Sequence, residues 1–379
     1  MRSGSSRRPF GYADLPAPLA DLIGREHESE ELRALLTDRG ARVIVLTGTA
    51  GVGKTALAVH VLWDVARGFD GRILFIPLAA LRDPALVVPT IAQRLGVSTV
   101  GPEEEGRQRL LARIRERPLL LALDNLEHLL GAREPLVDLL EACPDLRVLI
   151  TSRVALRISG EWLIEIRPLA IPSTTPQRSH ELRANPAVAL FLRRAGARAT
   201  NPAAIGDHLD DVAEICRRLD GLPLAIELAA ARSRSLPPPT LRSMLVRRLP
   251  LLVDGSMDLP PRLRSLQDAI AWSYDLLDET HRQLFRRLAI FEGGFALHAA
   301  QAIVRGWVPA DGYPMGGNWE REPQPWWVGH GHEAPPDDGS WTPPSLRPAA
   351  IDATTGLQVL VDHSLVRSAP DATGEARFE

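Results

Sequence analysis

The chain has 379 residues, of which 45% are hydrophobic and 24% charged, and its formal net charge is -3 at pH 7. This length is enough for two or three domains, and the composition excludes wholesale disorder. The charge argues against a strongly basic nucleic-acid binder. The apolar runs have the length of strands, well below the ~20 residues of a membrane span, and no apolar stretch follows the Arg/Ser-rich N-terminus. We therefore expect a cytoplasmic protein that makes no membrane contact.

Rare residue types single out one position. Cys143 and Cys216 lie far apart in the sequence, and we expect two buried thiols rather than a disulfide or a metal site. Of the 44 basic residues one is a lysine, Lys54, and the others are arginines. A compact ammonium and a planar guanidinium are not interchangeable in a tight phosphate site. Lys54 is therefore the first candidate for a phosphate ligand.

A phosphate-binding loop follows residues 1–21, which are predicted to form a flexible arm. The short apolar strand Val43–Leu46 precedes the sequence GTAGVGKT, and a helical pattern covers Ala56–Ala66. This is the G-x-x-x-x-G-K-[ST] motif in its strand–loop–helix setting, where backbone amides bind phosphate oxygens. The alternative is a glycine-rich turn without a ligand. The motif predicts that Lys54 reaches the β and γ phosphates and that the Thr55 hydroxyl binds Mg²⁺. The predicted nucleotide-binding residues here are Gly48, Thr49, Ala50, Gly51, Val52, Gly53, Lys54, Thr55 and Ala56.

An acidic strand end follows farther along the chain. Strands are predicted over Ile73–Pro77 and Leu119–Leu123, and the second runs into Asp124. A carboxylate at this end of a strand beside a phosphate loop can hold Mg²⁺, although aspartates also end strands as turn residues. The next residue, Asn125, cannot accept a proton, so the sequence predicts slow hydrolysis unless a base such as Glu127 substitutes. The alternative for Glu127 is an ordinary acid at the start of a helix.

Two more strands complete the predicted sheet, over Val148–Ser152 and Leu163–Ile166. Helical stretches separate all five strands, which indicates an α/β domain over residues 22–170 with helices on both faces of a parallel sheet. Arg153 follows the fourth strand and is expected at the edge where ligands bind in open α/β sheets. It is a candidate sensor of the γ-phosphate, and the alternative is a surface arginine.

The remaining chain is predicted to be mainly helical. A Pro/Ser/Thr linker opens a helical lid domain over residues 171–253, whose clearest amphipathic helices are Leu209–Leu219 and Leu222–Ala231, with a break at Leu236–Pro239. Residues 254–379 are predicted to form a third, winged-helix-like domain. An insertion rich in Trp, Pro and Gly interrupts it at residues 306–350. The predicted core residues of this domain are Trp272, Tyr274, Leu276, Leu284, Phe285, Leu288 and Phe291.

The order of these motifs resembles the NB-ARC branch of the STAND signal-transduction ATPases, in particular bacterial members described as predicted ATPases or transcriptional regulators. The motifs that carry the resemblance are LIGRE at residues 22–26, GTAGVGKT, LALDN, LITSR, GLPL at residues 221–224, and AIAWSYDLLDETHRQLFRRLAIFEGGF at residues 269–295. The resemblance covers residues 22–303 and resumes at residues 357–379. It implies that the chain is the switch core of a longer protein.

The resemblance also implies roles for individual residues. The strand ending at Ser152 would lie between the phosphate-loop strand and the Asp124 strand, which places Arg153 between Lys54 and Asp124. Ile23 and Arg25 would line the adenine and ribose, and Pro223 would close over the base. For Pro223 the alternative is a proline in the first turn of a helix. In this family the winged helix usually packs against the closed state, so we expect no DNA contact within this chain.

These observations predict a switch controlled by ATP, ADP and Mg²⁺, with slow hydrolysis and a protein partner or self-association on activation. One alternative is an ATPase motor or remodeller of AAA+ type, which would need an arginine in trans, for which Arg217 and Arg218 or Arg286 and Arg287 are candidates. The other alternative is a scaffold that binds ADP without cycling.

Overall fold

The computed structural model describes residues 15–17, 22–38, 40–70, 72–98, 100, 102–196, 207–233, 235–245, 271, 274, 277–291, 294–304, 352–362, 365–366, 368–370 and 376–378. The chain divides into two compact units, residues 1–276 and 277–379. In the described residues, no helix has the length and apolar character needed to cross a membrane. The predicted domain boundaries at residues 170 and 253 stay predictions.

A five-stranded parallel sheet forms the centre of the first unit. Its strands are β1 (Val43–Thr47), β2 (Ile73–Pro77), β3 (Leu119–Asp124), β4 (Leu146–Thr151) and β5 (Glu161–Glu165). Their order is β2-β3-β4-β1-β5, and all neighbours are parallel. The predicted α/β fold is therefore confirmed, as is the position of β4 between the phosphate-loop strand and the Asp124 strand. This order brings the carboxyl ends of β1, β4 and β3 together at one edge.

Helices cover both faces of the sheet because alternate strand residues point to opposite sides. Val43 and Val45 of β1 belong to one buried cluster, and Ile44 and Leu46 belong to the other. The helices of this part are α1 (Glu26–Thr37), α2 (Lys54–Val65), α3 (Val87–Arg94), α4 (Glu103–Arg115) and α5 (Arg133–Ala142). The first cluster contains residues of α3, α4 and α5, and the second contains residues of α1 and α2.

Strand boundaries differ most from the prediction at the end of the sheet. The fifth strand covers Glu161–Glu165 rather than Leu163–Ile166, and β4 begins two residues before the predicted Val148. β5 is an edge strand that pairs with β1 alone, and its side chains are less buried than those of the central strands. Trp162 and Leu163 remain 49% and 51% exposed. The apolar run was therefore a poor guide to where this strand begins.

A cluster of helices with its own core follows the sheet in the first unit. Its helices are α6 (Ser179–Ala184), α7 (Pro186–Gly196), α8 (Leu209–Arg218), α9 (Pro223–Arg232) and α10 (Pro238–Met244). They share a core that includes Phe191, Val212 and Ile226. The two amphipathic helices are confirmed to within one residue at each end. The predicted break at Leu236–Pro239 extends too far, because α10 begins at Pro238. A proline is tolerated in the first turn of a helix.

The second unit combines three helices with a small antiparallel sheet. Its elements are α11 (Glu279–Leu288), β6 (Phe295–Ala296), α12 (Leu297–Val304), α13 (Ala353–Asp362), β7 (Ser368–Pro370) and β8 (Ala376–Phe378). The helices contact one another, and the sheet order is β6-β8-β7. Leu284 and Leu288 are buried as predicted, and Phe285 and Tyr274 are partly buried. Trp272, Leu276 and the insertion at residues 306–350 lie outside the described residues, so the winged-helix assignment stays a prediction.

Candidate nucleotide-binding site

The phosphate-loop motif forms the connection between β1 and α2. Gly53 adopts a left-handed conformation with φ 102° just before α2 begins at Lys54. A Cβ at Gly53 would meet no atom within 4 Å, so this side of the loop faces open space. The Thr49 hydroxyl of the same loop is buried and has no hydrogen-bond partner among the described residues. A loop with an open face and an unsatisfied polar atom fits a bound polar ligand.

Lys54 is folded over the loop and is 8% exposed. Its Nζ donates hydrogen bonds to the carbonyl oxygens of Gly48, at 2.6 Å, and Thr49, at 3.0 Å. Burial lowers the pKa of Lys54 to about 8, and Arg153 also lowers this pKa, whereas Glu127 and Asp124 raise it. A buried ammonium is costly unless an anion lies beside it. The loop therefore favours an anionic ligand.

The predicted magnesium ligands lie together at the end of β3. Thr55 Oγ1 donates a hydrogen bond of 2.6 Å to Asp124 Oδ1, and Thr151 Oγ1 donates another of 2.6 Å to the same oxygen. Asp124 is 4% exposed. A carboxylate and a hydroxyl are hard oxygen ligands of the kind that Mg²⁺ prefers, so the residues present fit this ion. Thr151 was not predicted from the sequence, although a hydroxyl residue at the end of the strand beside Asp124 was a usable signal.

Glu127 and Arg153 form a buried ion pair next to this carboxylate. Arg153 Nε lies 3.3 Å from Glu127 Oε1, and the two side chains are 4% and 2% exposed. The side-chain Nδ2 of Asn125 donates to Glu127 Oε1 at 3.2 Å, and the backbone N–H of Asn125 donates to Thr151 Oγ1 at 2.9 Å. Glu127 lies in a turn, so the alternative interpretation of Glu127 as an acid at the start of a helix is wrong. The chain bends back here because Asn125 adopts a left-handed conformation, φ 65°, which asparagine tolerates.

Arg25 connects the segment before α1 to the phosphate loop. Its Nη2 donates to the carbonyl oxygens of Val52, at 3.1 Å, and Arg167, at 2.6 Å, and its Nη1 pairs with Glu28 at 2.7 Å. Ile23 packs against the helical cluster, as does Ala50 of the loop. Arg25 thus contacts the loop, and Ile23 packs against the same helical cluster as the loop residue Ala50. The predicted contacts of Ile23 and Arg25 with adenine and ribose stay predictions.

Pro223 is in the first turn of α9, which begins beside the phosphate loop. The Leu224 amide donates a hydrogen bond of 3.1 Å to the Gly51 carbonyl. Gly221 ends the preceding turn with φ 67°, and its carbonyl accepts from the Leu169 amide at 2.9 Å. The helix-start interpretation of Pro223 is confirmed. Its second predicted role, closure over the base, stays a prediction.

The chain is similar to several known proteins. A sequence-family model described as an AAA domain matches residues 37–160. A Mycobacterium tuberculosis protein named "Putative HTH-type transcriptional regulator" is 40% identical over 280 residues, which are 73% of this chain and 29% of that protein. The crystal structure of a STAND protein with a tetratricopeptide repeat sensor from Pyrococcus horikoshii aligns with 98% of this chain and 43% of its own, at 15% identity and a TM-score of 0.36.

A second relative matches over most of its own length. It is an "Uncharacterized protein" of Mycobacterium tuberculosis that is 36% identical over 286 residues, which are 75% of this chain and 69% of that protein. The chain spans less than a third of the regulator named above. The phosphate-loop motif, the parallel sheet and the AAA domain match agree with one another. The chain belongs to the same family as this mycobacterial relative, and its phosphate loop, parallel sheet and AAA domain match are those of P-loop ATPases.

Proposed function

We propose that this chain is a conformational switch that binds ATP and ADP, hydrolyses ATP slowly, and forms the core of an NB-ARC-type STAND protein in signal transduction or transcription regulation. The observation that carries the proposal is the common edge of β1, β4 and β3, where Thr55 of the phosphate loop contacts Asp124 and the charges of Lys54 and Arg153 act on each other. A phosphate needs cations and amides on one side and a metal ligand on the other, and this edge supplies both. The regulator name of one mycobacterial relative supports a regulatory role.

The proposal assigns a role to each residue of the site. Loop amides and Lys54 would bind the β and γ phosphates, and Thr55 and Asp124 would hold Mg²⁺. When bound, Mg²⁺ neutralises the charge that develops on the phosphate oxygens. Arg153 would bind the terminal phosphate, the part that distinguishes ATP from ADP. Ile23, Arg25 and Pro223 would hold the nucleoside.

We infer slow hydrolysis from Asn125, the residue after Asp124, whose carboxylate is the proposed magnesium ligand. Asn125 is an amide and cannot accept a proton from the attacking water. A long-lived ATP state suits a switch, because the signal persists until hydrolysis ends it. Binding can shift the conformation only through unequal affinity for the two states. The hydrogen bond between Leu224 and Gly51 gives the helix α9 direct contact with the loop that would sense the phosphates.

Two of the four arginines that are candidates for a trans role in a motor lie on α8 and form ion pairs within the chain. A motor of AAA+ type would need an arginine donated to a neighbouring subunit. Arg217 and Arg218 both pair with Glu214 of the same helix, at 2.9 and 2.8 Å. Their guanidinium groups are thus already engaged within the chain. A protein partner, or self-association on activation, remains part of the proposal.

The test is to identify the nucleotide that co-purifies with the chain, by heat release and chromatography, and to measure steady-state ATP turnover on the same sample. We expect bound ADP or ATP and far less than one turnover per second. Lys54→Ala should lose the bound nucleotide. Several turnovers per second would overturn the switch, and a wild-type chain that binds neither nucleotide would overturn the whole proposal.

A further inference from the structure

Glu127 is a buried carboxylate that the proposed function leaves without a role. Its Oε1 accepts from Asn125 Nδ2 and pairs with Arg153 Nε. Its Oε2 is buried and has no hydrogen-bond partner among the described residues. A buried carboxylate oxygen without a donor is costly, so a carboxylate that serves stability alone is expected to satisfy both oxygens. Glu127 therefore suits a state of the site in which its surroundings change.

A bound triphosphate would change the charges around Glu127. Lys54, Arg153, Asp124 and Glu127 are all less than 9% exposed, and they form two cations and two anions at the same edge of the sheet. A nucleoside triphosphate adds a third anionic group there. Guanidinium groups bind phosphate and carboxylate oxygens with the same donors, so the two anions compete for one arginine.

We propose that Glu127 is a positioning residue that competes with the terminal phosphate of a nucleoside triphosphate for Arg153, and so sets how strongly the site discriminates triphosphate from diphosphate. This inference rests on the proposed function. With the diphosphate bound, Arg153 keeps its pair with Glu127. With the triphosphate bound, Arg153 turns to the γ-phosphate and Glu127 loses its ion pair with Arg153. The carboxylate thus opposes triphosphate binding more strongly than diphosphate binding, because its charge acts on Lys54 in both states and on the terminal phosphate through Arg153 in one.

The test measures two dissociation constants on the full chain, for ADP and for a non-hydrolysable ATP analogue. Glu127→Gln keeps the shape of the side chain and removes its charge. We expect the ratio of ATP to ADP affinity to rise about tenfold, within the usual range of couplings between two binding events. The matched control is Glu134→Gln, an exposed acid seven residues later, which should leave the ratio unchanged. A purely structural role for Glu127 would weaken both ligands equally, and an unchanged ratio overturns the proposal.

A second pair of variants tests whether Glu127 acts through Arg153. Arg153→Gln should lower the ratio, and adding Glu127→Gln to it should have no further effect on the ratio. If the double variant still shows the tenfold gain, Glu127 acts by another route and the proposal is wrong. The double variant removes both buried charges and so also guards against misfolding of the single one. Glu127→Asp, which keeps the charge and lengthens the pair, should raise the ratio by a smaller factor.

Two outcomes separate this inference from the proposed function. If the wild-type chain binds neither nucleotide, both fail together. If it binds both nucleotides and Glu127→Gln abolishes hydrolysis without changing the ratio, the switch stands, and Glu127 acts as a base instead of a competitor for Arg153.

Discussion

Among the residues of the site, Lys54 has a charge that depends strongly on its surroundings. It is one lysine among arginines, it is buried, and its neighbours include two carboxylates, Asp124 and Glu127, and one guanidinium, Arg153. Its ammonium is bonded to loop carbonyls, which are weaker partners than a phosphate. A nucleotide therefore gains more from Lys54 in this protein than from a solvated lysine.

The first prediction concerns proton uptake. Burial lowers the pKa of Lys54 from 10.5 to about 8, while a bound phosphate favours the charged ammonium and raises the pKa again. ADP binding without divalent ions should therefore weaken above pH 8, by up to about tenfold per pH unit, and take up a proton. Calorimetry at pH 8.5 in buffers of different ionisation enthalpy measures the uptake. Lys54→Arg keeps its charge and should show none. Affinity that is flat up to pH 9.5 would contradict the prediction.

The second prediction concerns Arg25. Its guanidinium donates to the carbonyls of Val52 and Arg167, so Arg25→Ala leaves both without this donor. Each unsatisfied buried group costs about 1–3 kcal/mol, and we expect the nucleotide-free chain to lose stability of that order. Denaturant unfolding measures the loss. Arg25→Lys retains the charge but not the forked donors, so it should recover part of the stability. If Arg25 serves the base alone, neither variant changes the unfolding of the nucleotide-free chain.

At the scale of elements, the contact between the phosphate loop and α9 connects the sheet to the helical cluster. Leu224 donates to the loop, and the turn before it is held by the hydrogen bond between Leu169 and Gly221. This turn is tightly packed, since a Cβ at Gly221 would lie 2.1 Å from the Leu169 carbonyl oxygen. The direction in which α9 leaves the turn thus depends on a residue without a side chain.

The third prediction compares two glycines with nearly equal positive φ angles. Gly221 has φ 67°, and Gly96 has φ 70° with no atom within 4 Å of an added Cβ. Gly96→Ala should cost about 1 kcal/mol, the strain of the left-handed conformation alone. Gly221→Ala adds a backbone clash and should cost several kcal/mol and also weaken ADP binding. Thermal unfolding and ADP titration compare them. Equal losses of stability would show that the turn is not tightly packed in solution.

At the scale of the whole molecule, ligand binding and folding are linked. A ligand that binds the folded chain alone raises the free energy of unfolding by about 2.7 kcal/mol at a concentration of 100 times its Kd. The residues proposed to bind the nucleotide belong to the first unit, so the stabilisation is expected there. The second unit has its own helices and its own sheet.

The fourth prediction follows from this linkage. ADP should raise the thermal unfolding midpoint of the wild-type chain and leave that of Lys54→Ala unchanged. Hydrogen exchange should slow in the phosphate loop, residues 48–55, and in the turn at residues 221–224, because the Leu224–Gly51 bond joins them. Peptides from α4 serve as the internal reference, because α4 packs on the face of the sheet opposite to α2. Protection confined to the loop would show that the contact does not transmit binding to α9.

Much of the fold was predictable from local sequence. The phosphate loop is specified by eight consecutive residues, and the central strands are continuous apolar runs because both of their faces are buried. Asp124 and Arg153 were predicted to lie at the same edge of the sheet because polar residues that follow buried parallel strands meet there, and the structure places them so. The position of β4 between β1 and β3 came from the resemblance and not from any pattern in the residues.

Other features were decided by tertiary structure alone. Thr151 bonds to Asp124 across 27 residues, and Arg25 bonds to the Arg167 carbonyl across 142 residues. The pairing of Glu127 with Arg153 likewise depends on two strands lying side by side. Short-range spacing determines which chemical groups the chain carries and where its strands and helices form. Which of those groups become partners depends on strand order and burial, because hydrogen bonds and ion pairs require contact in space and not proximity along the chain.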